Sequence, residues 1–236
     1  MRLLTLQAEV FLGGLLVARL RAFRLAVALA FALFLVAGAS GTGAAAVYTV
    51  IVAAGSVGAV AGMQLLAPGA PIIAARQVAT SWWVPPVGRL CGAALFLAPV
   101  VAAGALGLVG PDEGWGAAMR AGFVGLLFAL TWAACTLALA PLVGAAAAGA
   151  VGMLAVWLGG IPPTAVHQLL DGATYLQRPA VLAWNTLPLG WRAARAFAGT
   201  AGDWVLLGSW LVAGVVVAAW AATRTPSGAA RSRGGS

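Results

Sequence analysis

The chain has 236 residues, of which 63% are hydrophobic and only 8% charged, with a mean hydropathy of +1.02. Soluble globular domains carry about 25% charged residues, so this composition points to a chain whose solvent is mostly lipid. All 13 basic residues are arginine and the net charge is +8; they do not cluster on a soluble domain, which speaks against a nucleic-acid partner. Without lysine there is no amine for a Schiff base and no phosphate loop ending in Gly-Lys-Ser/Thr, so any ATP that drives this protein is bound by another chain.

Residues 1–24 mix Leu3, Leu6, Val10, Phe11, Leu15 and Val17 with Gln7, Glu9 and four arginines. This pattern predicts an amphipathic helix lying in the membrane interface; the alternative is a cytoplasmic extension of the first span. The charges precede the first long apolar run, and no cleavable signal peptide is read.

Crossing a hydrocarbon core of ~30 Å takes about 20 apolar residues, and by that measure the rest of the chain divides into six spans. They fall near 25–42, 44–66, 90–110, 121–140, 142–161 and 204–222. The fourth and fifth are joined without a charge, but Pro141 followed by Gly144 breaks the run into two elements. The predicted fold is all-α, a single polytopic membrane domain over 1–222 with a disordered cytoplasmic tail over 223–236.

Orientation follows from the arginines. With both termini on one side, that side receives Arg2, Arg19, Arg21, Arg24, Arg76, Arg89, Arg224, Arg231 and Arg233, against Arg120, Arg178, Arg192 and Arg195 on the other. Positive residues favour the cytoplasmic side, which places both termini in the cytoplasm of a cell inner membrane. Gly58 with Gly62, and Ala145 with Gly149, have the spacing of close helix contacts, which predicts a tightly packed bundle and no specific dimer face. No span carries an ionisable group at its centre, which argues against ion-driven transport.

Two interruptions stand out. Pro68–Leu90, PGAPIIAARQVATSWWVPPVGRL, carries Arg76, Trp82, Trp83, Pro85, Pro86 and Arg89 on the cytoplasmic side. Its composition fits a docking surface for another protein, and equally an interfacial anchor. Pro162–Asp203, between spans five and six, holds His167, Trp184, Trp191 and Arg192. Prolines that open helices predict two or three short helices here, broken at Gly172, Pro179 and Pro188, forming a partly re-entrant external cap.

Catalytic chemistry finds little to work with. His167 is the lone imidazole, no spacing suits a metal or haem, and neither Ser56 nor Ser209 lies in a G-x-S-x-G. Cys91 and Cys135 read as small core residues, and Asp112 and Glu113 as a solvated turn with a local ion pair to Arg120. No catalytic residue, metal or cofactor is expected.

An interfacial N-terminal helix, six spans with both ends inside, a cytoplasmic connection after span two and short external helices between spans five and six together resemble the membrane subunits of type-2 ABC exporters. The resemblance implies a coupling helix over Ile72–Trp83 and a proline-basic lead-in, VPPVGRL, over 84–90. Where that family often has an acidic Glu-Arg-Gly-like cluster, this chain has AARQ at 74–77. The resemblance further implies a dimer of permease subunits, each paired with a separate ATP-binding subunit. A substrate-capture subunit of an energy-coupling-factor importer and a non-transport membrane scaffold are the alternatives.

Overall fold

The computed structural model describes residues 2–19, 24, 25, 27, 28, 30, 32, 43–63, 65, 83–106, 115–171 and 174–224. Among these, nine helices and no strand are defined. They are α1 (Arg2–Arg19), α2 (Gly43–Gly62), α3 (Val84–Leu106), α4 (Trp115–Val143), α5 (Ala145–Leu158), α6 (Pro163–Leu169), α7 (Thr174–Thr186), α8 (Gly190–Phe197) and α9 (Ala201–Arg224).

Among the described residues three helices are long and apolar enough to cross a membrane: α3, α4 and α9. A fourth is counted when α5 and α6, which meet at a 95° bend, are taken as one broken span. The expected span near 25–42 lies largely outside the described residues, as do the tail from 225 onward and the Asp112–Glu113 turn.

The break expected at Pro141 and Gly144 is present. Pro141 sits in the last turn of α4, and Gly144 takes φ 88°, a left-handed conformation that side-chain-bearing residues rarely adopt. α5 then returns along α4, so that Gly152 meets Thr136 at equal sequence distance from the turn.

Small residues line the closest helix contacts, and many large apolar side chains stand on the outer surface. Gly58 and Gly62 of α2 lie against the backbone of Ala129 and Ala133 of α4; a Cβ on Gly58 would stand 2.7 Å from the Ala129 Cα. The glycine spacing seen in the sequence therefore serves a contact within one chain. Ala53, Ala54, Ala61, Ala133 and Ala134 fill the centre, while Phe123, Leu154, Val205, Val212 and Val216 stand exposed on the outer surface. In water such a surface would be an aggregation liability, whereas in a bilayer it is what lipid requires.

α1 runs beside the first half of α3 in the same direction, with Glu9 on Gly88, Val10 on Gly92 and Gly14 on Phe96. Its buried face, Gly13, Gly14 and Val17, is committed to this contact, leaving Gln7, Phe11 and Leu15 outward.

The segment after α5 forms three helices. α7 continues through Pro179, where a break was expected. Pro179 and Tyr175, whose carbonyl loses its helical donor, both lie on the exposed side, and an exposed carbonyl finds another donor at little cost. One face of α8 is buried: Trp191, Ala193 and Ala196, with Leu189 just before the helix, belong to the core shared with α2, α4 and α9, while Arg195 stands exposed.

Candidate functional site

Two buried ion-pair clusters mark the ends of the bundle. At the first, Val84, Pro85 and Pro86 open α3, where the missing proline N–H groups leave no acceptor unmet. The next turn brings Gly88 and Gly92 against α1, close enough that a Cβ on Gly88 would lie 2.6 Å from the Cβ of Glu9. This approach carries Arg89 onto Glu9. Arg89 is 1% exposed; its Nε donates to Glu9 Oε2 at 3.0 Å, and its Nη1 donates to the Leu65 carbonyl at 2.6 Å. Its Nη2 is buried with no partner among the described residues.

Desolvating two charges offsets most of their attraction, so the pair adds little net stability; removing one partner leaves a buried charge and costs several kcal/mol, on the order of 3–5. Its effect is to fix geometry. The end of α2, the start of α3 and the middle of α1 meet at a single guanidinium, which joins Leu65 to Arg89 across the 66–82 connection.

At the second cluster Asp203, 1% exposed in the first turn of α9, receives Arg192 Nη1 at 2.6 Å and lies 3.1 Å from Arg195 Nε. Arg192 also donates to the Asn185 carbonyl, and its guanidinium stacks 4.4 Å from the centre of the Trp191 ring. Indole N–H groups tie this end together. Trp132 donates to Pro188, Trp184 to Ile161, Trp204 to Ala196 and Trp210 to Thr186.

The two clusters sit at opposite ends of α2. Tyr48 meets Gly160 and Gly190 at one end, and the Leu65 carbonyl meets Arg89 beyond the other. From Tyr48 to Gly62 the helix rises about 21 Å, so the polar joints are separated by most of a hydrocarbon core of ~30 Å.

The described members of the predicted docking segment differ in exposure. Arg76 and Trp82 lie outside the described residues, Pro85, Pro86 and Arg89 are buried at the base of α3, and Trp83 alone of the described four is exposed. Of the predicted cap residues, Trp191 and Arg192 join the Asp203 cluster, whereas Trp184 binds the end of α5 and His167 is exposed, 3.1 Å from the Gln177 amide. Sequence reasoning missed Glu9 and Asp203 as partners. The usable signals were a lone acid opposite Gly-Arg-x-x-Gly, and an acid opening a helix just after two arginines.

Among the described residues no group of three or more His, Cys, Asp or Glu comes together to hold a metal ion. Cys91 and Cys135 are free thiols. Comparison with protein-family models, with curated proteins and with solved structures finds no match to this chain.

Proposed function

We propose that the chain is the membrane subunit of an ATP-driven transporter of the type-2 exporter kind. In this reading six spans cross a cell inner membrane with both termini in the cytoplasm, and two permease subunits form the path, each coupled to a separate ATPase subunit. The observation that carries the proposal is the Arg89 joint. A conformational change in a partner reaches the spans only through an element that contacts its two states differently. A connection whose two roots are pinned to each other and to α1 transmits a push as a movement of three helices, where a loose one would absorb it.

The contacts beyond the joint support the same reading. α2 meets α4 through Gly55, Gly58 and Gly62, and α4 meets the far end through Trp132 Nε1 to the Pro188 carbonyl at 3.0 Å and Thr131 Oγ1 to the Leu207 carbonyl at 3.2 Å. Movement at the base of α2 would thereby be felt around α8 and α9, the segment taken here as external. Trp83 supplies the exposed aromatic area from which a partner interface would be built.

Purification of the tagged chain from its native membrane tests the proposal. A nucleotide-binding subunit should accompany it, and ATP hydrolysis should belong to that subunit. Recovery of the intact chain without one would leave the scaffold reading in place.

A further inference from the structure

The Asp203 cluster is not electrically balanced. Two guanidinium groups share one carboxylate, and among the described residues no second acid pairs with Arg192 or Arg195. The excess charge is presented outward in a graded way, with side-chain exposures of 1% for Asp203, 18% for Arg192 and 55% for Arg195. Among the described residues Arg192 Nε and Trp191 Nε1 are buried without acceptors and Asp203 Oδ2 without a hydrogen-bond donor, so two donors stand against one acceptor, and the two guanidinium groups lie 4.4 and 5.7 Å from the Trp191 ring centre. The turn that follows α8 is open: Gly199, at φ 99°, and Gly202 are exposed, with nothing among the described residues within 4 Å of where a side chain would stand. The first turn of α9 starts there; its Asp203 N–H donates to the Thr200 carbonyl at 3.1 Å, and the positive end of the helix dipole lies at this turn.

We propose that Arg195, exposed beside the first turn of α9 and backed by Arg192 and Trp191, forms a binding site for a phosphate-bearing anion. Arg195 touches Asp203 through Nε, which leaves its two terminal nitrogens to form the fork that matches two phosphate oxygens. Asp203 holds the Arg192 side chain by ion pair and hydrogen bond and keeps the net charge of the site at one positive unit, enough to select an anion without trapping it. Tryptophans at this end, Trp184, Trp204 and Trp210, suit headgroup depth in a bilayer. The same chemistry would accept a lipid headgroup or a soluble phosphate.

The test is native mass spectrometry of the full-length chain in detergent, loaded with phosphatidylglycerol or with monogalactosyl diacylglycerol of the same chain length. Phosphatidylglycerol should be retained in preference, and Arg195→Gln should reduce that retention about tenfold, in line with the loss of a charge-assisted fork. Arg178→Gln, an exposed arginine on α7, should leave retention unchanged and controls for general charge. Displacement of the lipid by millimolar inorganic phosphate would identify a soluble phosphate as the ligand, and resistance to it a headgroup. Equal retention of the two lipids, or equal retention by Arg195→Gln and the wild-type chain, would overturn the proposal. A thermal melt of Arg195→Gln matching the wild type separates loss of the site from loss of the fold.

Discussion

Arg89 and Glu9 are eighty positions apart in sequence and 3.0 Å apart in space, each nearly sealed from solvent. Neither helix would bury its charge alone. The pair exists because Gly13, Gly88 and Gly92 let α1 and α3 touch backbone to backbone.

The first prediction concerns this pair. Arg89→Met or Glu9→Leu alone should each destabilise the detergent-solubilised chain by about 3–5 kcal/mol, because either leaves a buried charge unpaired. The double variant Glu9→Leu/Arg89→Met should recover much of that loss. Denaturant titration of the four proteins measures the coupling, and additive losses would show that the charges do not interact.

The α2–α4 contact makes a second, sterically based prediction. Gly58→Ala and Gly62→Ala place a methyl group on the backbone of α4 and should each cost about 1–3 kcal/mol. Gly208→Ala, on α9 with open space around it, should be neutral or mildly stabilising through helix propensity. Thermal midpoints of the three variants check the contrast.

A third prediction addresses Asp203. Its replacement by alanine removes the acceptor of a charged hydrogen bond from Arg192 and should cost about 2 kcal/mol. The loss should be felt locally: hydrogen exchange should rise in α8 and the start of α9 while α2 and α4 stay protected. Uniform loss of protection would mean that the cluster holds the whole bundle.

These predictions separate what was legible in the chain from what was not. Pro141 and Gly144 announce the turn between α4 and α5 because a missing N–H and a left-handed φ act locally. Gly58 and Gly62 announce a close contact but do not name its partner, since any small-residue face satisfies the same spacing. The Glu9–Arg89 pair was invisible for a different reason: nothing at position 9 specifies position 89 until two helices are placed side by side. Pro179 misled because a proline breaks a helix only where the freed carbonyl lacks another donor. Pro85, Pro86 and Arg89 read as a docking lead-in because prolines and an arginine are usually surface residues; all three are buried, and for Arg89 the close approach of α1 and α3 at Gly13, Gly88 and Gly92 provides the partner.

The fourth prediction is topological. The nine-to-four division of arginines requires that reporter fusions after Gly110 and after Ala222 report opposite sides of the membrane. The same side for both would remove the six-span arrangement.

The most direct test of the proposed function is whether an ATPase subunit binds this chain, and how tightly, with and without the Trp83 side chain. Truncating a central aromatic anchor costs about 2 kcal/mol or more. Trp83→Ala should therefore weaken co-purification of the ATPase about thirtyfold, while the mutant chain remains membrane-inserted and keeps its wild-type melting temperature. Undiminished ATPase binding by a chain in which Arg76, Trp82 and Trp83 are all alanine would contradict the claim that this connection is where the partner docks.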